Sequence, residues 1–166
     1  MGFLSKLFGK QEEQVQELVL SSYMKGKVVE ITEVPDPVFA QKMMGDGFAV
    51  EPENGKIYSP VSGTVTSVFP TKHALGLLTE NGLEVLVHIG LDTVSLEGKP
   101  FEVHVSEGQK VAAGDLLVTA DLEAIKAAGR ETSTVVVFTN AAAIKSVTVE
   151  KLGQASAKTV VAKVEL

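Results

Sequence analysis

The sequence contains no cysteine. The chain can therefore form no disulfide, no thiolate zinc site and no cysteine nucleophile. It also has no stretch of 18 continuous apolar residues, so no segment is expected to span a membrane. The phosphate-binding pattern GxxxxGK[ST] is missing as well, which argues against ATP as a direct phosphoryl donor.

The chain has fewer basic than acidic residues. The 15 lysines and arginines are outnumbered by 21 aspartates and glutamates, which gives a net charge of −6 at pH 7. Because nucleic acid binding needs a concentrated basic face, this balance argues against a nucleic acid partner and favours a basic protein partner. The length of 166 residues and the 45% hydrophobic content suit one globular domain with its own core.

Residues 1–20 are predicted to form a tail ahead of a domain at 21–166. The first ten residues, MGFLSKLFGK, lack the apolar run of a secretion signal, and Lys6 departs from the myristoylation pattern. We therefore expect a cytoplasmic protein. Two hypotheses remain open for residues 1–10, an amphipathic contact with anionic membrane and a frayed terminus. The first depends on four apolar residues at helical spacing: Phe3, Leu4, Leu7 and Phe8.

From residue 23 onward, short β-type segments alternate with glycine and proline. Helical signals are confined to one turn within residues 38–47 and a short helix over 121–129, with Asp121 as N-cap and Gly129 as its stop. Many brief strands with little helix predict an all-β fold. We expect an antiparallel β-sandwich or barrel-sandwich hybrid with one or two short helices.

The sequence also carries an internal repeat. SSYMKGKVVEI at residues 21–31 aligns with YSPVSGTVTSV at residues 58–68 when the two are offset by 37 positions, which places Ser22 on Ser59. Since an array of repeats would need three or more copies, the pattern indicates a duplicated β-motif.

Two Asn-Gly pairs predict tight β-hairpins, Asn54-Gly55 and Asn81-Gly82. A two-residue turn at the second pair would place Leu75 opposite His88, with Asp92 opposite Thr71. Because side chains alternate along a strand, His73, Leu75 and Leu77 would then share one sheet face with Leu86 and His88. In this register His73 and His88 are diagonal neighbours, roughly 7–8 Å apart at the backbone. The turn thus brings together two of the three histidines.

A histidine pair on one sheet face can bind a metal, carry out acid–base chemistry or hold a phosphoryl group. A zinc site needs a third and usually a fourth ligand, and the spacings of dedicated zinc enzymes are missing. A phosphoryl carrier fits better, since one imidazole can hold the group covalently while the other donates a charge-assisted hydrogen bond. Thr71 could fix the tautomer of the second imidazole. The alternative is that both are ordinary surface histidines, as we expect for His104.

Five sequence blocks resemble the enzyme IIA component of the glucose-type sugar phosphotransferase system. They are VPDPVFAQKMMGDGFAVEP, YSPVSGTV, FPTKHALGL, LVHIGLDTV and EGQKVAAGDLL. The resemblance covers about residues 26–166 and implies an antiparallel β-sandwich that acts through a phosphohistidine. It implies that His88 accepts the phosphoryl group from the phosphocarrier HPr, through Nε2. His73, with Thr71 beside it, would stabilise the group before it passes to a cysteine of a IIB component.

The same resemblance implies a docking surface, in which Asp36 and Asp92 meet basic residues of HPr around an apolar patch. The members of that patch are Val38, Phe39, Met43, Phe69 and Leu86. An apolar centre with a rim of carboxylates suits a transient interface. We expect a monomer with no required cofactor and no intrinsic metal, although zinc could bridge His73 and His88 with a partner's carboxylate.

Two other protein classes use related β-segments. A biotinyl or lipoyl carrier would need a modifiable lysine at a hairpin tip, where this chain has Asn81-Gly82. A zinc peptidase would need more ligands than the histidine pair supplies. Residues 22–26 also depart from the small-Pro-Leu-small-Gly segment common in the enzyme IIA family, which concerns the first strand and not the histidines.

Overall fold

The computed structural model describes residues 16–166, and antiparallel strands make up most of its regular structure. The strands are β1 (Glu17–Ser21), β2 (Gly26–Glu30), β3 (Gly47–Pro52), β4 (Lys56–Tyr58), β5 (Gly63–Val68), β6 (Ala74–Leu78), β7 (Glu84–Ile89), β8 (Phe101–Val103), β9 (Lys110–Val111), β10 (Leu116–Ala120), β11 (Thr134–Phe138), β12 (Ser146–Val149), β13 (Gly153–Ala155) and β14 (Val160–Glu165). The helices are α1 (Pro37–Ala40) and α2 (Leu122–Ala127).

The strands form one large sheet and two small ones. The large sheet has the order β13-β2-β3-β11-β7-β6-β5-β9, and the small sheets have the orders β1-β14-β12 and β4-β10-β8. Alternate residues of β2, β3 and β11 face opposite sides, because side chains alternate along a strand. One side joins the main core through Val28, Val50 and Val136, and the other forms a second apolar cluster beneath α1. The predicted all-β sandwich is confirmed.

The duplication is visible in the backbone. Ser22 and Ser59 are both fully buried, and each hydroxyl donates to the carbonyl two residues ahead, on Met24 at 2.8 Å and Val61 at 2.6 Å. The strand pairing repeats as well. Leu20 and Ile57 are equivalent positions in the two copies, and they pair with Ala162 and Val118 respectively. The predicted duplicated β-motif is therefore confirmed, and it extends to strands that the sequence comparison did not reach.

Both short helices begin at aspartate caps. Asp121 accepts a hydrogen bond from the Ala124 amide at 3.1 Å and starts α2, which ends before Gly129, whose φ is +80°. Asp36 accepts from the Val38 amide at 2.9 Å and starts α1, with Pro37 at the first position. Such caps satisfy backbone amides that have no partner within the helix. Both predicted helical segments are present: α1 is the single predicted turn and begins one residue before its predicted range, and α2 is shorter than predicted.

The hairpin between β6 and β7 differs by one residue from its predicted register. The Thr79 amide bonds the Leu83 carbonyl, and the Gly82 amide bonds the Thr79 carbonyl, which closes a three-residue loop with Gly82 at φ +89°. Three-residue loops that end in a left-handed glycine are a common alternative to two-residue turns. Ala74, not Leu75, therefore lies opposite His88.

This shift corrects the predicted faces of the strands. Leu75 and Leu77 pair with Val87 and Val85, and all four side chains are buried in the main core. Burial of these apolar side chains stabilises the observed register, since a one-residue slip of either strand would turn the apolar side chains of that strand to the opposite face. The prediction that Leu75 and Leu77 share the face of His88 is wrong.

The Asn54-Gly55 turn joins two sheets and does not close the predicted hairpin. β3 pairs with β2 and β11 in the large sheet, whereas β4 pairs with β10 in a small one. A Cβ on Gly55 would lie 1.8 Å from the Ala120 carbonyl oxygen, so glycine is needed where the turn meets β10.

The predicted tail is shorter at its C-terminal end, because β1 begins at Glu17 and pairs along its length with β14. Residues 1–15 lie outside the described part of the chain, and so do both hypotheses for residues 1–10. Within residues 16–166, no helix is long and apolar enough to cross a membrane.

Candidate active site

Two imidazole rings meet at one end of the β6–β7 hairpin. His88 lies in β7, and His73 immediately precedes β6, where its carbonyl accepts the Ile89 amide at 2.7 Å. The ring centroids are 5.0 Å apart and the ring planes are at 82°. The two histidines predicted to lie together do so, but the local structure at His73 differs from the predicted strand. His73 lies in a turn next to Lys72, whose φ is +59°, and not in a strand with alternating faces.

A backbone carbonyl fixes the tautomer of His88. Its Nδ1 lies 2.9 Å from the Gly90 carbonyl oxygen. Because a carbonyl can only accept, Nδ1 carries the proton and Nε2 keeps a free lone pair. Gly90 itself has φ +73°, and a Cβ there would lie 2.6 Å from Cγ2 of Thr93. Glycine is therefore required for the backbone path that aims this carbonyl at His88.

His73 is held from a different direction. Oγ1 of Thr71 lies 2.6 Å from its Nδ1, and Phe69 packs edge-on against the ring with centroids 5.4 Å apart. Only 7% of His73 is exposed. The Thr71 bond leaves Nε2 of His73 as the ring atom available for a further interaction.

Phe39 also packs against His88, with ring centroids 5.0 Å apart and an angle of 62° between the rings. α1 presents this side chain, which is only 3% exposed and belongs to the apolar cluster on that side of the large sheet. Phe39 was expected in an exposed docking patch. It lies instead beneath the surface, where it supports the His88 ring.

The environment keeps His88 neutral near pH 7. The pKa of His88 is lowered from 6.5 to about 4, chiefly by burial and also by the neighbouring His73. The Gly90 carbonyl, Asp36 and Asp92 oppose this by favouring the cation. Burial also lowers the pKa of His73. A neutral imidazole with a free Nε2 lone pair is a nucleophile, whereas the imidazolium is not.

The two predicted carboxylates lie beside this pair on different elements. Asp36 is the half-buried cap of α1, and Asp92 is exposed in the turn after β7 with φ +58°. Asp92 was expected opposite Thr71 in the hairpin. It falls beyond the strand end because the chain turns at Gly90, yet both carboxylates remain close enough to His88 to affect its charge.

Several apolar side chains on the segments that carry or adjoin the site residues are exposed. Met43 is 69% exposed, Val38 and Phe69 are also exposed, and Leu86 is half-buried. The structure adds Met44 and Val94, which are exposed too and were not predicted. The sequence offered little indication of their exposure. Met44 is an apolar residue next to Met43, and Val94 is an apolar residue two positions after Asp92.

The site offers few metal ligands. Among residues 16–166, no cluster of three or more histidine, aspartate or glutamate side chains could hold a metal ion. Two imidazoles supply only half of a tetrahedral zinc shell. The third histidine, His104, is exposed elsewhere, and its Nε2 lies 2.8 Å from Oγ1 of Thr119.

Comparison with known proteins decides the family. Residues 18–144 match the family model described as phosphoenolpyruvate-dependent sugar phosphotransferase system, EIIA 1. The chain belongs to this EIIA family. It is therefore a phosphotransferase component that acts as a phosphocarrier through a phosphohistidine, as predicted. The biotinyl or lipoyl carrier and zinc peptidase hypotheses are set aside.

Named relatives agree with this assignment. The chain is 48% identical over 145 residues to the glucose-specific EIIA component of Staphylococcus epidermidis, covering 87% of each. It is 79% identical over 145 residues to the glucose-specific EIICBA component of Streptococcus pneumoniae, covering 87% of this chain and 20% of that protein. The chain therefore spans about a fifth of the pneumococcal relative.

A solved structure shares the fold. The glucose permease IIA from Mycoplasma capricolum matches with a TM-score of 0.84 and 41% sequence identity, covering 89% of this chain and 96% of that one. The EIIA family's β-sandwich is thus also the fold of this chain.

Proposed function

We propose that His88 accepts a phosphoryl group from phospho-HPr on Nε2 and passes it to a cysteine of a IIB component. The observation that carries this proposal is the 2.9 Å contact between Nδ1 of His88 and the Gly90 carbonyl. That contact leaves Nε2 unprotonated beside a second imidazole. The glucose-specific names of the relatives favour a glucose-type system.

In the first step, the Nε2 lone pair of His88 attacks the phosphorus of the HPr phosphohistidine. The donor N–P bond breaks, its electron pair returns to the donor imidazole, and a new N–P bond forms at His88. Phosphoryl transfer needs little covalent work from the protein beyond in-line positioning and stabilisation of charge on the three equatorial oxygens.

His73 supplies that stabilisation. In the proposed arrangement the Thr71 hydroxyl donates to Nδ1 of His73, so the proton of the neutral ring is on Nε2. Nε2–H then donates to an oxygen of the phosphoryl group on His88. A hydrogen bond to an anionic oxygen is stronger than a neutral one, and the buried position of His73 strengthens it further.

In the second step, a thiolate of the IIB component attacks the phosphorus, and the N–P electron pair returns to Nε2 of His88. The printed sequence contains no cysteine, so the thiol comes from outside it. The pneumococcal relative, named as an EIICBA component, supports IIB as the source.

The surface around the histidines suits both partners. Its exposed apolar members can pack against a partner, while Asp36 and Asp92 attract basic residues and steer the encounter. As part of the same proposal, the protein acts in the cytoplasm as a monomer without a required cofactor. For residues 1–10, a weak contact with anionic membrane and a frayed terminus remain the two hypotheses. Zinc would bind between His73 and His88 only when a partner adds a carboxylate.

The test is incubation with phospho-HPr followed by mass spectrometry under conditions that preserve phosphohistidine. We expect one phosphoryl group on His88 of the wild type and none on His88→Ala. His104→Ala is the matched control, since it removes a histidine remote from the pair, and it should be phosphorylated normally. Phosphorylation of His88→Ala at the wild-type rate would refute the proposal.

A further inference from the structure

Arg130 links the loop before β11 to the turn that carries Asp92. Its Nε donates to the Asp92 carbonyl oxygen at 3.2 Å, and its Nη2 donates to Oγ of Ser95 at 3.1 Å. Nε and Nη2 lie on one edge of the guanidinium, so both bonds form without bending the side chain. No role was predicted for this arginine from the sequence.

The Asp92 backbone is held in an unusual conformation. Its φ of +58° lies in the left-handed region, which residues other than glycine seldom adopt. The Asp92 carbonyl accepts a second hydrogen bond, from Oγ of Ser95 at 2.9 Å. The Leu91 amide also bonds the Glu131 carbonyl at 3.0 Å, so side-chain and backbone contacts join the same two loops.

The conformation of this turn decides where the Asp92 carboxylate lies. That carboxylate is exposed, yet it raises the pKa of His88, so it is within electrostatic reach of the reacting imidazole. A free turn would let the carboxylate occupy many positions, and each contact with a basic partner would then cost more conformational entropy.

We propose that Arg130 is a positioning residue for phosphoryl transfer, because it fixes the turn that presents the Asp92 carboxylate to basic residues of the phosphoryl donor. This inference rests on the proposed function. Arg130 contacts the backbone of Asp92 and the side chain of Ser95, and it acts on the partner only through them.

Charge alone predicts the opposite effect. Arg130 adds a positive charge near a surface that should receive a basic partner, so its simple removal would strengthen the encounter. If Arg130 acts by positioning, Arg130→Ala should weaken binding in spite of the more favourable charge. The direction of the change in KM therefore distinguishes a positioning role of Arg130 from a simple effect of its charge.

The experiment measures KM and kcat for phosphoryl transfer from phospho-HPr to full-length variants. Arg130→Ala should raise KM about fivefold with kcat nearly unchanged, as expected for loss of a preorganised contact. Arg130→Lys keeps the charge and one donor, so its KM should be intermediate. Lys126→Ala, which removes an exposed cation of nearby α2, is the matched control and should leave KM as in the wild type.

A double-mutant cycle tests whether the effect passes through Asp92. Arg130→Ala should add little to the rise in KM that Asp92→Asn causes, because both remove the same contact. Independent additive effects would overturn the proposal. So would an unchanged or lower KM for Arg130→Ala, or a fall in kcat together with a lower melting temperature.

Hydrogen exchange provides a readout that does not require the proposed function. Arg130→Ala should increase exchange at the Leu91 amide, which bonds the Glu131 carbonyl, while the amides of the β6–β7 pair stay protected. Faster exchange in a protein that phospho-HPr does not phosphorylate would refute the proposed function alone. Unchanged exchange would refute the positioning role of Arg130.

Discussion

The imidazole rings of His73 and His88 lie 5.0 Å apart, nearly perpendicular to each other, and each is tethered through its own Nδ1. A backbone carbonyl holds His88, whereas the Thr71 hydroxyl holds His73. A carbonyl dictates which nitrogen is protonated, but a hydroxyl can either donate or accept. This difference assigns the rings different tasks, with His88 as nucleophile and His73 as donor to the phosphoryl oxygens.

Substitution of His73 should separate acceptance from release. We expect His73→Gln to become phosphorylated by phospho-HPr, because Nε2 of His88 is unchanged. Onward transfer to a IIB cysteine should slow about 10²-fold, the usual effect of disturbing one preorganised donor to developing charge, because the glutamine amide replaces the imidazole N–H. Rapid-quench measurement of both half-reactions tests this. Failure of His73→Gln to accept any phosphate would contradict the division of roles.

Gly90 is the backbone position on which the His88 tautomer depends. Gly90→Ala should destabilise the protein by about 1–3 kcal/mol and slow phosphate acceptance, because the methyl group meets Thr93 and moves the carbonyl. Denaturant unfolding and the acceptance rate measure the two effects. Gly108→Ala is the control, since Gly108 has φ +89° but open space around its Cβ. Equal loss of acceptance in both variants would rule out this explanation.

Acid should inactivate the nucleophile only well below neutrality. Because the pKa of His88 is lowered to about 4, phosphate acceptance should be nearly constant from pH 8 to 6 and should fall as the pH approaches 4. A midpoint near pH 6.5, the value of an unburied histidine, would contradict the effect of burial. The rate at constant ionic strength is the measurement.

The same shift links stability to pH. Below pH 6.5 His88 is protonated more readily in the unfolded chain than in the folded chain. The contribution of His88 to the free energy of unfolding is therefore complete above pH 6.5 and is lost as the pH falls toward 4. The contribution is of the order of 3 kcal/mol, because a pKa lowered from 6.5 to about 4 corresponds to about 1.4 kcal/mol for each pH unit. His88→Gln should show a shallower decline over this range, and an equally steep one would contradict the linkage.

The exposed apolar surface should govern partner binding. Met43→Glu should raise KM for phospho-HPr at least about tenfold without loss of stability, since Met43 is 69% exposed and its charged replacement would have to be desolvated on docking. Leu152→Glu is the matched control. Leu152 is 53% exposed and precedes β13, at an edge of the large sheet four strands away from β7. Equal effects of both substitutions would argue against a localised surface.

The sequence correctly predicted that His73 and His88 lie together, although the strand register from which this was derived was wrong by one residue. Asn81-Gly82 correctly marked a turn, but the choice between a two-residue and a three-residue loop shifts every pairing by one. The burial of Leu75 and Leu77 decides that choice, and burial depends on tertiary packing. His73 meets His88 nevertheless, because the turn at Lys72 interrupts the strand alternation.

Local signals and long-range contacts differed in how well they could be predicted. Asp121 caps α2 through a contact three residues away, as its local sequence predicted. Asp36 caps α1 through a contact two residues away, and this cap was not predicted. The Asn54-Gly55 pair was a misleading hairpin signal, because Gly55 is required by its contact with Ala120 on a strand distant in the sequence. Arg130 could not be predicted to contact Asp92, since 38 positions separate them.

The most direct test of the central claim is NMR of the phosphorylated, ¹⁵N-labelled protein, which identifies the ring nitrogen bonded to phosphorus. We predict a single phosphoramidate on Nε2 of His88, with Nδ1 still protonated and bonded to the Gly90 carbonyl. A phosphoryl group on Nδ1 of His88, or on either nitrogen of His73, would contradict the account.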